Sequence, residues 1–244
     1  MKKSLFIGAL LALGMAATTS GASTLEEVKA RGTLNCGTST GVAGFSLPDA
    51  NNVYQGFDVA ICRGIAAAVL GDPMAVEFVP TTGKTRFTAL SSGEVDVLSR
   101  TTTWTFSRDV DLKMDFHGVN YYDGQGFMVP RSLGVTSAKD LDGATVCIQV
   151  GTTTELNLAD FFRVNGITYE PVPTEKSSES RSLYQAEACD VYTTDASGLA
   201  SARSTFADPS AHVILPEIVS KEPLGPVTRH GDNQWGDIVR WTLN

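Results

Sequence analysis

Strand-like and helix-like segments alternate along the chain, and this alternation restricts the fold more than any other feature of the sequence. In the first half, the strand candidates are 33–38, 76–80 and 95–99. Two segments with apolar residues at helical spacing, 56–72 and 84–93, lie between them, and each is closed by a glycine. This βαβαβ order predicts a parallel sheet with helices on its faces.

A second series of the same kind follows. Its strand candidates are 126–130, 144–150, 167–173, 189–195 and 212–217. Its helix candidates are 137–143, 151–166, 176–188 and 197–204, and 233–244 has the apolar spacing of a final amphipathic helix. Prolines and glycines mark the junctions at 124–134 and 216–226. The sequence therefore predicts two α/β lobes joined by two short crossings that form a hinge.

Residues 1–22 have the organisation of a secretory signal peptide. A positive start precedes an apolar run at 5–17, and small residues at 20–22 fit a cleavage site. A membrane anchor is the alternative, but the run is shorter than the ~20 residues needed to cross a bilayer. No cysteine follows the cleavage point, which disfavours a lipid anchor. We therefore expect an exported chain that begins near Ser23.

Export makes the four cysteines informative, because an even number in an oxidising compartment favours disulfides. Of the three possible connectivities we favour Cys36–Cys62 and Cys147–Cys189, since each pair then stays within one half of the chain. The spacings contain no CxxC, and the three histidines are not clustered with the cysteines. We therefore expect no metal site.

The charge balance argues against two classes of partner. The net charge is −8, and no stretch of the sequence forms a basic stripe or cluster. We therefore expect neither a nucleic-acid partner nor attachment to an anionic membrane surface.

Polar residues are concentrated after the strand candidate 95–99, in the segment SRTTTWTFSR (99–108). Ligands bind at the carboxyl edge of open α/β sheets, where this segment is placed. The alternating Thr101 and Thr103 could share one face, and Arg108 could hold a carboxylate with two hydrogen bonds. The alternative is that Arg108 pairs at the surface with one of the aspartates that follow it. The residues alone leave both open.

Two further candidates also follow strands. GTTTE (151–155) opens a helix whose free N–H groups suit an anion, although Thr152 and Glu155 also fit a simple capping box. A phosphate loop is a weaker interpretation, because no GK[ST] follows. Asp195 could cap the next helix or face a ligand ammonium. Together the three sites suit the two charged groups of an amino-acid zwitterion.

No constellation points to catalysis. The sequence contains neither GxSxG nor HExxH, the cysteines are expected to be paired, and no carboxylate pairs with a histidine base. We expect no catalytic residues and no cofactor.

Four segments carry a resemblance to a known family: GFDVAICRGIAAAVLGD, RFTALSSGEVDVLSRTTTWTFSR, VCIQVGTTTELNLADFF and CDVYTTDASGLA. They resemble the family-3 periplasmic solute-binding proteins of ABC transporters, and within them the general L-amino-acid-binding subgroup. The resemblance extends over the whole mature chain. It implies a two-lobed periplasmic-binding-protein (type II) fold, L-amino acids as ligands, an inner-membrane ABC permease as partner, and a periplasmic monomer without enzyme activity.

The same resemblance implies roles for individual residues. Arg108 would hold the α-carboxylate of the ligand, Asp195 its α-amino group, and Thr153 would lie near the carboxylate. The ligand-binding residues implied in this way are Thr101, Thr103, Arg108, Thr152, Thr153 and Asp195.

Selectivity in the family depends partly on the segment after the first strand, here 38–45. Binders of basic amino acids carry an aspartate and an aromatic residue where this chain has Ser39 and Val42, which argues against strict Lys/Arg specificity. We include Ser39 in the site. Trp104 could pack on ligand or core, and we favour the cleft.

The resemblance also predicts the domain division. Lobe 1 comprises 23–128 and 219–244, and lobe 2 comprises 129–218. Members of the subgroup continue beyond the segment resembling 232–244, so we expect a C-terminally truncated chain with lobe 1 incomplete. An amino-acid sensor, or a small enzyme such as a dehydratase on the same scaffold, is the alternative function.

Overall fold

The computed structural model describes residues 23–244, so the predicted signal peptide lies outside the described residues. The helices are α1 (Thr24–Arg31), α2 (Phe57–Leu70), α3 (Arg86–Ser91), α4 (Thr153–Asn165), α5 (Ser177–Gln185), α6 (Ala196–Ser204) and α7 (Asn233–Thr242). The strands are β1 (Leu34–Thr38), β2 (Leu47–Pro48), β3 (Tyr54–Gln55), β4 (Val76–Pro80), β5 (Val97–Leu98), β6 (Met114–Phe116), β7 (Tyr121–Asp123), β8 (Gln125–Pro130), β9 (Ala144–Gln149), β10 (Tyr169–Thr174), β11 (Val191–Asp195), β12 (His212–Ile214), β13 (Glu222–Leu224) and β14 (Val227–Arg229).

The first lobe is built on a five-stranded sheet in the order β4-β1-β5-β14-β6. Strand β1 pairs in parallel with β4 and β5, as the alternating segments predict, and the returning β14 pairs antiparallel with β5 and β6. The core joins α2 and α7 to the sheet, with Ile65, Trp235 and Val239 fully buried. Helix α1, which Ser23 caps, was not among the predicted elements.

The second lobe is built on a five-stranded sheet in the order β10-β9-β11-β8-β12. Strand β9 is parallel to β10 and β11, and β8 is antiparallel to β11 and β12. Parallel strands covered on both faces consist of continuous apolar residues, and Val146, Cys147 and Ile148 of β9 are all buried. Phe127 and Phe162 fill the core between this sheet and α4.

A two-stranded ribbon accompanies the crossings between the lobes. Strands β7 and β13 pair antiparallel, with Tyr122 opposite Pro223. The predicted boundary between 128 and 129 falls inside β8, all of which belongs to the second sheet. The first crossing therefore precedes Gln125, because β8 hydrogen-bonds to β11 and β12 along its length.

The disulfide prediction is confirmed. Cys36 of β1 is bonded to Cys62 of α2, and Cys147 of β9 is bonded to Cys189 just before β11. Each bridge stays within one lobe, and each ties a central strand to a neighbouring segment. Among residues 23–244, no helix has the length and apolar character that crossing a bilayer requires.

Candidate functional site

A polar cavity of about 330 Å³ lies between the lobes, at the carboxyl ends of the parallel strands. We call it the arginine compartment. Its lining comes from both lobes: Arg86, Arg100, Thr101, Thr103, Gln149, Thr152, Thr153, Thr154, Thr194 and Asp195. The cavity lies at the sheet edge where we expected the site, and five of the eight predicted ligand-binding residues line it.

The turn after β5 is held by a carboxylate that the sequence analysis did not identify. Thr101 has a left-handed backbone (φ +50°), which is unusual for a β-branched residue. Its N–H donates to Asp58 of α2 at 3.0 Å, so a buried side chain fixes the strained turn. Burial raises the pKa of Asp58 to about 6, although Arg100 acts in the opposite direction.

Three buried guanidinium groups converge on this turn: Arg86, Arg100 and Arg108. Burial lowers the pKa of Arg100 and of Arg108 to about 10, and it lowers that of Arg86 well below its ordinary value. Their charges are opposed by the carboxyl groups of Asp58, Asp195 and Glu222. Three guanidinium groups and three carboxyl groups thus form one cluster, in which only Asp195 is half-buried rather than buried.

The arginines differ in how many of their side-chain N–H groups are hydrogen-bonded to the protein. Arg108 donates from Nη1 to the Thr103 carbonyl oxygen at 2.8 Å, and its guanidinium lies 5.3 Å from the centre of the Phe87 ring. Arg100 makes no side-chain hydrogen bond within residues 23–244, and its Nε is buried without a partner. The buried position of Arg108 excludes the surface ion pair that the sequence left open. Arg100, which had no predicted role, is the guanidinium that most lacks a partner.

Asp195 ends β11 and precedes α6, where it could have been a simple helix cap. Its side chain makes no capping hydrogen bond. Burial, followed by the charges of Glu222 and Asp123, raises the pKa of Asp195 to about 8, and Arg86 and Arg108 lower it. A carboxylate without hydrogen-bond donors in a buried setting has room to accept from a ligand ammonium.

Glu222 on β13 occupies a place that the sequence analysis missed. Its carboxylate accepts hydrogen bonds from Thr103 at 2.5 Å, Thr153 at 3.0 Å, Asn157 at 2.8 Å and Ser220 at 2.7 Å. Two of the hydroxyls expected to hold a ligand therefore donate to a carboxylate of the protein itself. No motif marks this glutamate, because its role arises only where the returning strand passes between the lobes.

Thr152 has the structural role that was the alternative to ligand binding. Its Oγ1 accepts the Glu155 N–H at 3.1 Å and so caps α4, while the Glu155 carboxylate accepts the Gly151 N–H at 2.8 Å. Thr152 nevertheless lines the arginine compartment beside Thr153.

The other three predicted residues, Arg108, Trp104 and Ser39, are not among the residues that line this cavity. The Trp104 ring stacks on Phe116 at 5.4 Å, and its Nε1 donates to Asp109 at 2.6 Å. Ser39 is fully buried and shares a 2.6 Å hydrogen bond with Ser46. These local partners account for both side chains without a ligand, so the structure places neither residue in the site.

A second cavity of about 420 Å³ lies beside the first. The two share Thr101, Thr194 and Asp195. We call it the side compartment, because Asp195 stands between it and the arginine compartment. Its other lining residues are Gly41, Val42, Ser177, Arg181, Tyr192, Ser197, Gly198, Ser201 and Ala202.

The lobes touch around these cavities. Ser201 donates to the Ala43 carbonyl oxygen at 2.7 Å, and Arg86 donates to that of Gly151 at 3.3 Å. Gly83 lies so close to the Val150 carbonyl oxygen that a Cβ there would overlap it. The structure therefore has the lobes in contact on both sides of the cleft.

Two α/β lobes joined by a ribbon, with a charged cavity between them, define a two-lobed solute-binding protein. Residues 34–244 match the bacterial extracellular solute-binding proteins, family 3, and the chain belongs to this family.

Three relatives are informative. The glutamate/glutamine/aspartate/asparagine-binding protein BztA of Rhodobacter capsulatus is 65% identical over 243 residues, which are 100% of this chain and 72% of that protein. The general L-amino acid-binding periplasmic protein AapJ of Rhizobium johnstonii is 56% identical over 96% of this chain and 68% of its own length. A periplasmic binding protein of Brucella ovis, solved with glutathione bound, is 54% identical with a TM-score of 0.87, over 91% of this chain and 70% of that chain.

Proposed function

We propose that this protein is the solute-binding component of an ABC transporter and that it captures L-amino acids between its lobes. The observation that carries the proposal is the cleft itself. Buried guanidinium groups with few hydrogen bonds and a carboxyl group that makes no helix-capping hydrogen bond line the same cavity. Such an arrangement complements the carboxylate and the ammonium of one zwitterion. The family membership and the names of the relatives support the same conclusion.

In this proposal Arg108 and Arg100 hold the ligand α-carboxylate. Nη1 of Arg108 donates to the Thr103 carbonyl oxygen, while its Nη2 has no hydrogen-bond partner within residues 23–244. Arg100 brings a guanidinium without such partners to the cavity wall. Asp195 of the opposite lobe accepts the α-ammonium. Because the two charged groups of the ligand contact different lobes, binding stabilises the closed arrangement.

Closure turns about the ribbon of β7 and β13. We place the hinge there rather than later in the predicted junction 124–134, because β8 is fully paired inside the second sheet. We otherwise keep the division into lobe 1 and lobe 2 that the sequence predicts. The closed form would then present the surface that a permease recognises.

We also propose that the protein works by binding alone, as an exported periplasmic monomer that transfers its ligand unchanged. Family membership supports the extracellular location and the absence of catalysis. The predicted signal peptide supports export.

Isothermal titration calorimetry with a panel of L-amino acids tests the proposal. The mature chain should bind at least one of them with one ligand per protein, and the ligand should be recovered unchanged. Failure of every L-amino acid to bind a folded sample, checked by its melting transition, would overturn the proposal. Conversion of a ligand to product would instead favour the enzyme alternative.

A further inference from the structure

Arg181 is a charged wall of the side compartment that the zwitterion site does not use. It lies on α5, one helical turn after Ser177, and both residues line the cavity. Its guanidinium has no ion pair and no hydrogen bond within residues 23–244, although it is only half-exposed. A cation that faces a cavity without a protein partner is free to meet an anion there.

The carboxyl groups around the two compartments do not pair with Arg181. Asp58, Asp195 and Glu222 oppose the charges of Arg86, Arg100 and Arg108, and Asp123 accepts hydrogen bonds from the Gly124 N–H and the Ser197 hydroxyl. A bound amino acid places its α-carboxylate and α-ammonium at the arginine compartment, so Arg181 remains without a partner.

The two compartments meet at Asp195, and this position sets the direction of the ligand. An ammonium at Asp195 and a carboxylate at the guanidinium groups direct the ligand side chain away from the arginine compartment, into the side compartment. There the wall consists of small and hydroxyl-bearing residues around Arg181. Val42 and Ala202 give this compartment some apolar lining, and a side-chain carboxylate would meet the unpaired guanidinium of Arg181.

We propose that the side compartment is the ligand side-chain pocket, and that Arg181 makes it selective for amino acids with an anionic side chain. This inference rests on the proposed function, because it assumes that an amino acid occupies the cleft. A neutral apolar ligand would enclose Arg181 on closure without offering it a hydrogen-bond acceptor, which is unfavourable for a charged group. A side-chain carboxylate supplies that acceptor, and a side-chain amide supplies a weaker one.

The test compares Arg181→Gln with the unaltered chain by calorimetry, using L-glutamate, L-aspartate, L-glutamine and L-leucine. Arg163→Gln is the matched control, because it removes the same charge from an exposed position of the same lobe, where Arg163 is paired with Asp160. We expect Arg181→Gln to weaken the binding of glutamate or aspartate about tenfold, which corresponds to about 1.4 kcal/mol. It should weaken glutamine binding less and change leucine binding less than about twofold. The control should leave all four affinities unchanged.

Arg181→Lys separates charge from shape. It keeps the charge but loses the planar fork, so it should restore part of the preference for acidic ligands. Melting transitions of all variants establish that they are folded.

The outcomes distinguish the inference from the proposed function. If the unaltered chain binds no amino acid, both fail. If it binds amino acids and Arg181→Gln leaves the ratio of glutamate to leucine affinity unchanged, only the role of Arg181 is overturned. A selective loss of glutamate binding in Arg100→Gln, with none in Arg181→Gln, would also overturn it and would assign the ligand side chain to the arginine compartment.

Discussion

The two lobes have closely similar scaffolds and opposite chemistry. Each contains a five-stranded sheet with three parallel strands on one side and two strands paired antiparallel on the other, and each has one disulfide from a central strand. Yet lobe 1 brings Arg86 and Arg100 to the cavity wall, with Arg108 buried against Thr103, whereas lobe 2 brings Asp195, the α4 cap and Arg181. The scaffold therefore provides the sheet edge at which a site forms, and the residues at that edge determine which charged and polar groups line the cleft.

The distribution of charged groups between the two lobes has a functional consequence. Neither lobe alone can satisfy a zwitterion, because the guanidinium groups for its carboxylate and the carboxylate for its ammonium lie on opposite sides of the cleft. Ligand capture is thereby coupled to the approach of the lobes. Four experiments test this comparison, in order of decreasing expected effect.

The disulfides test whether the lobes are stabilised alike. Replacing Cys36 and Cys62 by serine, or Cys147 and Cys189 by serine, should lower the free energy of unfolding by roughly 3–4 kcal/mol in each case. The loops closed span 26 and 42 residues, so the loop-entropy difference between them is below about 0.5 kcal/mol. Denaturant unfolding of each variant measures both values. A difference of several kcal/mol would show that the two lobes depend on their bridges to different extents.

Arg108→Gln tests the contribution of lobe 1 to binding. Loss of a buried charge-assisted contact should weaken the binding of an L-amino acid by at least ~2 kcal/mol. The loss should be similar for all ligands, because every amino acid carries the α-carboxylate. Calorimetry measures it, with Arg163→Gln as the exposed control. Unchanged affinity would contradict the assignment of Arg108.

The pH dependence of affinity tests the contribution of lobe 2. The pKa of Asp195 is raised to about 8 without ligand, and a ligand ammonium would lower it. Below pH 8 Asp195 must therefore release a proton on binding, so affinity should fall as the pH is lowered from 8 to 6. The change is at most about 1.4 kcal/mol per pH unit.

Asp195→Asn is the control for this experiment. It should bind more weakly and lose the dependence on pH between 6 and 8. Calorimetry in two buffers of different ionisation enthalpy should detect the released proton with the unaltered chain only. An equally steep pH profile in the variant would assign the proton to another group.

Gly83→Ala tests the contact between the lobes. A Cβ on Gly83 would overlap the Val150 carbonyl oxygen only when the lobes are together. We expect a loss of binding free energy of about 1 kcal/mol, the lower end of the cost of overpacking. The melting temperature without ligand should stay the same, and Gly83→Val should bind more weakly still. An unaltered affinity in both variants would mean that closure does not require this approach.

The parts of the fold that were predictable are those marked by local periodicity. Helix α2 has its apolar residues at helical spacing, and β9 is a short apolar run between turn residues, so both were recognised. The two-residue strands β2 and β3 and the ribbon of β7 and β13 were not, because such short strands carry no pattern and owe their conformation to their partners. The lobe boundary drawn between 128 and 129 lies within β8, because the sequence does not show which sheet a strand joins.

The candidate site divides in a similar way. The threonine-rich turn and Asp195 were found because each follows a strand and has an unusual concentration of polar groups. Asp58 and Glu222 were missed, since each lies far along the chain from the groups that it contacts. For Trp104 the sequence left ligand and core open and we favoured the cleft; its ring stacks on Phe116, and it lines neither cavity.

The sequence by itself determined the two α/β series, the expectation that the cysteines form disulfides, and the edge where polar groups gather, because these follow from periodicity, an even cysteine count and the positions of strand ends. The structure decided which cysteines are bonded. Only the tertiary structure decided which groups share the buried charge cluster and which remain without a partner. Burial makes an unpaired charge costly, and the partner that relieves it can come from any part of the chain. The hydrogen bond between Glu222 and Thr103 therefore depends on how the chain returns between its lobes. The same is true of Arg181, which has no hydrogen-bond or ion-pair partner within residues 23–244.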